Sequence, residues 1–290
     1  MTARRLKGAL HTHTRASDGS QEPAALAAIY RELGYDFVFL TDHNKVTHAG
    51  GWEDFLVLPG IEVGSATKSP DRYWHFVGLM LEGGSSPPEK APADALWAFI
   101  RSSSAFSFLA HPYWSQVTGK DLLRFEGLAC VEVWNTGCEQ EIGRGFGEYA
   151  WDWALGAGKK LSAVAVDDCH GFDDVGKAWV SVEAEAFTGD AIVDALSRGA
   201  YYSSCGPEIR SFERKGNVVE AVTSPCRSIA FLADRQRGKF CPAAPGTTLE
   251  SASLTLKGTE RYVRVECIDA EGRKAWSNPI YLEPAKPAGA

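Results

Sequence analysis

His11 and His13 stand two residues apart in the segment ALHTHTRASDG, which continues to Asp18 and Gly19. In an extended chain, side chains at i and i+2 share a face. The two imidazoles therefore project together, with Leu10 and Thr12 pointing the other way. Imidazole nitrogen is a common ligand for zinc, iron and manganese. An isolated H-x-H is more often one buried and one exposed histidine near a terminus. Here matching residues follow in chain order: Asp42-His43, Glu62 in G-I-E, His75, His111 in A-H-P, and Asp168 with His170 in D-x-H. Together they engage six of the seven histidines. Such carboxylates and imidazoles suit Mn, Fe(II) or Zn, whereas a thiolate set would favour zinc alone. Bound divalent cations depress the pKa of coordinated water, so such a cluster makes a hydroxide available at neutral pH. The same ions offset charge developing on a phosphoryl oxygen.

Such a cluster needs rigid elements that end in one place. Residues 22–33 carry Ala, Leu, Ile and Tyr at helical spacing, with Pro23 in the first turn and Gly34 as a stop. Residues 37–40 (FVFL) read as a strand buried on both faces and run into Asp42 and His43. Further strands are expected at 55–61, ending at Glu62, at 73–81 with His75 near its start, and at 105–110, running into His111. Two more fall at 128–134, containing Glu132, and at 161–166, ending in Asp167 and Asp168. Helices are expected at 92–101, at 141–155 closed by Gly156, and from the Thr188 cap through Ser197. Alternation of this kind implies parallel β/α units, whose reactive groups gather at the C-terminal ends of the strands. Seven or so units over some two hundred residues suggest a closed, TIM-like barrel rather than an open sheet.

From about Gly206 the texture changes to short alternating runs at 209–212, 218–222, 228–232, 253–256 and 262–268, separated by turn residues. That is antiparallel β, read as a small sandwich. It contains no histidine. The fold class is therefore α/β: a distorted (β/α)7 barrel over residues 1–206, a β-sandwich domain over 207–283, and a loose tail at 284–290. Residues 83–92 (GGSSPPEKAP) read as a loop.

Composition bounds the function. The chain has 290 residues, 44% hydrophobic and 23% charged, with a net charge of −7. It offers no electrostatic footprint for nucleic acid or an anionic membrane. Bound cations can supply local positive charge, so a nucleotide or oligonucleotide substrate stays open. The seven cysteines are scattered and unpaired in pattern, which fits buried thiols in a reducing compartment. With no signal peptide and no membrane-length apolar run, a cytoplasmic location is expected.

The order of these pieces resembles the polymerase and histidinol phosphatase (PHP) superfamily, over residues 6 to about 206. The segments LKGALHTHTRASDGS, YDFVFLTDHN, LPGIEV, HFVGL, AVDDCHG and ALSRGAYYSSCGPEI all look like family segments. The last of these, with the ending RKAWSNPIYL, is more similar to a carbaryl hydrolase-like branch that carries a C-terminal β domain. The resemblance implies a distorted barrel holding two or three divalent ions. His11, His13 and Asp168 would hold one, His75 and His111 a second, and Glu62 would bridge them. Asp18, His43 and His170 would hold a third, which some members lack. Glu62, His43 and His170 are read as the catalytic residues, with His43 or His170, where not fully committed to metal, protonating the leaving group.

Other residues have bland and sharp readings. Asp42 is read as orienting a histidine rather than as a ligand. Glu132 and Asn135 line the pocket, or Glu132 forms a salt bridge inside the barrel. Arg15 meets a substrate phosphate or is a solvated surface charge. Asp167 is read as supporting, His48 as a loop histidine, and Cys169 as inert packing, since a side chain between Asp168 and His170 points away from both. Trp97, Trp151, Trp153 and Trp179 read as packing, while Tyr113 and Trp114 form an apolar wall or simply pack. The expectation is a metal-dependent hydrolase, foremost a phosphoesterase acting on a small phosphate ester. A carbamate, ester or amide hydrolase on the same metals and an inactive PHP-like binding module are the alternatives.

Overall fold

Short runs of apolar β-formers become strands where both faces find cover. In the computed structural model, which describes residues 4–65, 73–81 and 86–282, the chain opens with β1 (Arg4–Ala9), α1 (Pro23–Glu32), β2 (Phe37–Leu40), β3 (Leu56–Gly64) and β4 (His75–Leu81). It continues with α2 (Ala93–Ser103), β5 (Ser104–Leu109), α3 (Gly119–Leu122), β6 (Cys130–Asn135), α4 (Thr136–Ile142) and α5 (Glu148–Gly156). β7 (Ser162–Val166), β8 (Trp179–Ala184), α6 (Gly189–Ser197) and β9 (Tyr201–Ser204) follow. Every residue of β2 is buried. Thr188 caps α6 by accepting the Ala191 N–H at 3.3 Å. The expected tail and the start of the expected loop at 83–92 lie outside the described residues.

One expected helix is two. Asn135 caps α4 by accepting the Cys138 N–H at 2.9 Å, and Gly143, at φ +69°, stops it. The chain then turns through Gly145 and Gly147, whose backbones bond Asn135 and Val133. Glycine is costly inside a helix and cheap in a turn. At Gly147 a Cβ would come within 2.2 Å of the Glu132 carbonyl oxygen, so no larger residue fits.

Strand direction also departs from expectation. β1, β2 and β3 pair in parallel, as do β5, β6 and β7. β4, however, runs antiparallel to both β3 and β5. β8, absent from the sequence expectation, is antiparallel to β1 and β9. The reversal of β4 explains why His75 sits early in its strand. It pairs with Gly64 at the end of β3, and its carbonyl accepts the N–H of Ala110, just past β5, at 3.1 Å. A reversed strand begins where its parallel neighbours end.

These strands form one sheet in the order β9-β8-β1-β2-β3-β4-β5-β6-β7. Among the described residues no ladder joins β7 back to β1. Past the ends of those two strands, a parallel bridge links Thr12 to Cys169. The His13 N–H donates to the Cys169 carbonyl at 3.1 Å, and the Asp168 N–H to the His11 carbonyl at 3.0 Å.

The C-terminal part contains β10 (Ile209–Lys215), β11 (Val218–Cys226), β12 (Ser228–Ala233), β13 (Gly238–Pro242), β14 (Leu249–Thr255), β15 (Tyr262–Ile268), β16 (Lys274–Ser277) and β17 (Ile280–Tyr281). β10, β11 and β14 make a separate antiparallel sheet. β13, β12, β15 and β16 instead extend the large sheet, because β16 pairs antiparallel with β9. Val219 and Ala221 share a core with Ile229, Phe231, Val263 and Val265.

Polar groups seal the join to α5. Arg264 is fully buried over the Trp151 ring and donates twice to Asp152, at 2.7 Å each. Lys274 and Trp276 both donate to Glu148 at 2.8 Å. A buried guanidinium is tolerated only while paired. Asp152→Ala is therefore expected to cost about 3 kcal/mol of stability. An unchanged urea midpoint would show that the pair contributes nothing. Trp97 and Trp151 are buried and Trp179 is partly so, as expected of packing residues, while Trp153 packs against Gly119 but keeps 40% of its surface exposed. All seven cysteines are free. Among the described residues no helix is long and apolar enough to cross a membrane.

Candidate metal centre

The residues after β1 stay extended, so the period of two holds. The Thr12 hydroxyl turns away to the Phe39 carbonyl at 2.7 Å, while Nε2 of His11 and Nε2 of His13 come within 3.1 Å of each other. Both nitrogens face Glu62 Oε2, at 3.3 and 3.2 Å, and Asp168 Oδ1, at 3.3 and 3.0 Å. Glu62 arrives by backbone pairing: its N–H donates to the Thr41 carbonyl at 3.1 Å, and a parallel bridge joins it to His43. Its other oxygen, Oε1, meets His75 Nδ1 at 2.8 Å and His111 Nε2 at 3.2 Å. One carboxylate thus stands between two sets of imidazoles.

His43 lies between Glu62 Oε2, 3.1 Å from its Nδ1, and Asp18 Oδ2, 3.4 Å from its Nε2. His170 Nε2 is 3.5 Å from the same Asp18 oxygen. Three sets have all their donor atoms within 4.8 Å of one another: His11, His13, Glu62 and Asp168; His43, Glu62 and His75; and His13, Asp18, His43 and His170. His111 falls outside these sets and joins through its contact with Glu62 Oε1. All nine residues proposed from the sequence as ligands therefore lie in one cluster.

Neighbouring groups fix which nitrogen faces inward. Glu132, fully buried, accepts the His11 Nδ1–H at 2.7 Å, the His111 backbone N–H at 2.6 Å and the Asn135 amide at 2.9 Å. Asn135 also donates to Asp168 Oδ2 at 2.9 Å. With Nδ1 held by Glu132, Nε2 is the His11 nitrogen that faces the cluster. Ser115 Oγ holds His111 Nδ1 at 3.0 Å, and the Asp168 carbonyl holds His170 Nδ1 at 3.0 Å. Backbone strain marks the same places. His111 (φ 28°) and Asp168 (φ 49°) occupy the left-handed region that non-glycine residues rarely adopt. Ser115 was missed in the sequence, although its position four residues after His111 was a usable signal.

The charges fit a cation. Burial alone would lower His11 and His13, but the facing carboxylates outweigh it: His11 is held well above its ordinary value and His13 at about 9. Burial likewise opposes ionised Glu62 and Asp168, yet the imidazoles hold both well below the usual carboxylate range. Asp168 Oδ1 is buried without a hydrogen-bond partner, although two imidazole nitrogens lie within 3.3 Å. A buried carboxylate oxygen that faces two imidazoles without a hydrogen-bond partner suits a coordinated ion, and this nitrogen–oxygen set suits Mn, Fe or Zn.

Other expectations resolve differently. Asp42 bonds no histidine among the described residues. It accepts from Thr14 N, Thr14 Oγ1 and Ser17 Oγ at 2.7–2.8 Å, and so holds the turn that leads to Asp18. Arg15 is exposed beside Glu22 and lines a neighbouring hollow with Lys45 and His48, not the cavity before the cluster. Asp167 is spent on Tyr30 and on the N–H groups of Gly176, Lys177 and Ala178. Cys169 is buried against Tyr30, with burial raising its thiol pKa. Trp114 lines the cavity, whereas Tyr113 does not.

No protein-family model matches the chain, and no curated protein matches it in sequence. Among solved structures, a two-domain protein from Bacteroides vulgatus, containing a predicted PHP-like metal-dependent phosphoesterase, covers 96% of this chain and 96% of its own at 15% identity, with a TM-score of 0.54. A candidate metal-dependent phosphoesterase from Bifidobacterium adolescentis matches at 15% identity, covering 66% of this chain and 96% of its own, with a TM-score of 0.46. An amidohydrolase from Chromobacterium violaceum, with bound sulfate and no metal, matches at 14% identity, covering 58% and 89%, with a TM-score of 0.43. These last two overlap too loosely to support an argument. The first shows that the chain shares the mixed α/β fold of that protein, with its large sheet and few helices.

Proposed function

We propose that this PHP-like chain is a metal-dependent hydrolase, and specifically a phosphoesterase. The observation that carries the proposal is the buried convergence of His11, His13, Glu62 and Asp168, with Asp168 Oδ1 left without a hydrogen-bond partner. His11, His13 and Asp168 would hold one divalent ion, His75 and His111 a second, and Asp18, His43 and His170 a third, with Glu62 shared between the first two. Such ions supply a hydroxide nucleophile at neutral pH and offset negative charge on the phosphoryl oxygens. Glu132 and Asn135 keep the donor atoms of His11 and Asp168 turned inward. His43 and His170 keep 28% and 41% of their side-chain surface exposed, so whichever of the two is not committed to the third ion would protonate the departing oxygen from the cavity side.

The cavity has no lysine or arginine among its described lining residues. That suits a neutral carbonyl electrophile too, so a carbamate or ester is the second reading. Elemental analysis of protein purified without chelator, followed by assays on a phosphomonoester, a phosphodiester and an aryl carbamate with added Mn, separates the two. Metal-free protein that turns over none of them would leave only a binding module. His111→Ala is expected to remove one metal equivalent and abolish hydrolysis, while His48→Ala changes neither. Equal, mild effects of the two would contradict the ligand assignment.

A further inference from the structure

The cavity before the cluster, about 600 Å³, has two unlike walls. The inner wall is the histidine and carboxylate set. The outer wall comes from the segment after His111, from α4, and from a 3-10 turn at Phe172–Asp174, and it presents Trp114, Gln140, Glu141, Phe172 and Asp173. This wall is built rather than incidental. The Trp114 indole N–H donates to Glu141 Oε2 at 2.9 Å, and its ring lies 5.0 Å from that of His111. The Gln140 amide donates to the Asp173 carbonyl at 3.0 Å, tying α4 to the turn. Phe172 lines the cavity yet is 65% exposed, so an apolar ring waits uncovered. Asp174 is occupied by the N–H groups of His170 and Gly171 and Glu141 holds Trp114, so the negative charge of the outer rim comes chiefly from Glu141 and Asp173.

We propose that the unreactive part of the substrate is a compact aromatic group bearing a positive charge, seated on Trp114 and Phe172 with its ammonium toward Glu141 and Asp173. This rests on the hydrolase reading for where the reacting bond lies, and it narrows the substrate class. Aromatic side chains gain most from a flat ring, and their faces attract cations. Rim carboxylates add to that attraction and repel further phosphates. Oligonucleotides and nucleoside polyphosphates would bring negative charge to a wall without a single cation among its described residues.

Three phosphate esters with one reacting bond test this on the Mn-loaded protein: phenyl phosphate, 4-(2-aminoethyl)phenyl phosphate and 4-carboxyphenyl phosphate. The ammonium ester is expected to exceed phenyl phosphate in kcat/KM by about fivefold, the size of an exposed ion pair, with the carboxylate ester slowest. Glu141→Gln should shrink the ammonium-to-carboxylate ratio, and Trp114→Ala should raise KM by about tenfold with a smaller change in kcat. A carboxylate ester cleaved as fast as the ammonium ester, or a ratio unmoved by Glu141→Gln, overturns the proposal. Calorimetric binding of the corresponding free phenols needs no turnover. If 4-(2-aminoethyl)phenol binds in preference to 4-hydroxybenzoate and Trp114→Ala weakens it, while no phosphate ester is cleaved, the phosphoesterase reading fails and this one stands. Cleavage indifferent to charge sinks this one alone.

Discussion

Glu62→Gln strips at least one equivalent of divalent metal from the protein and slows hydrolysis by about a thousandfold or more, equivalent to roughly 4 kcal/mol of lost transition-state stabilisation. The expectation follows from where the two carboxylate oxygens point. Oε2 faces His11, His13 and His43, and Oε1 faces His75 and His111, all within 3.3 Å. Glutamine keeps the shape but turns one oxygen into an N–H2 donor and removes the charge, so it cannot serve ions on both sides. The fold should survive. The backbone of Glu62 holds its place through Thr41 and Asn44 independently of the side chain. Metal content by elemental analysis and an unfolding midpoint on the same sample separate loss of the centre from loss of the structure. A variant with full metal and full rate would remove Glu62 from the chemistry.

Metal uptake should expel protons at neutral pH and strengthen steeply as pH rises. In the metal-free protein, the pKa of His13 is raised from 6.5 to about 9 and that of His11 is also raised, both by the facing carboxylates against the pull of burial. A raised histidine stabilises the metal-free fold fully below 6.5, and that contribution is lost as pH climbs through about 9. Coordination runs the opposite way, because it needs the neutral imidazole. Each proton displaced tightens apparent affinity about tenfold per pH unit, so His13 alone gives about a hundredfold or more between 6.5 and 9. Glu62 and Asp168, held ionised throughout this window, add nothing to the slope. Titrations in buffers of differing ionisation heat count the protons directly. A count of zero at neutral pH would mean that both histidines were already neutral.

Much of the candidate centre was legible because its signals are local. The period of two in extended chain places His11 beside His13 whatever the rest of the fold does. FVFL announces a strand buried on both faces, and its end delivers Asp42 and His43. Thr188 and Gly199 bracket α6 through capping and a left-handed backbone, both readable from residue type. What stayed hidden depends on distant partners. An apolar run reads the same in either direction, so the reversal of β4 was not visible, though it alone brings His75 to Glu62. The helix expected over residues 141–155 failed because the turn at Gly145 and Gly147 is held by Asn135 and Val133 across a gap in sequence.

The sequence by itself determined which residue types are present, in what order, and which neighbours share a face, since those follow from covalent spacing and residue shape. Only the tertiary structure decided that Glu132 faces His11, that Asp42 holds a loop rather than an imidazole, that Trp114 and Phe172 face one cavity, and that β16 carries the C-terminal strands onto the large sheet. Each of these is a contact between segments far apart along the chain, set by long-range pairing and burial that no local pattern encodes.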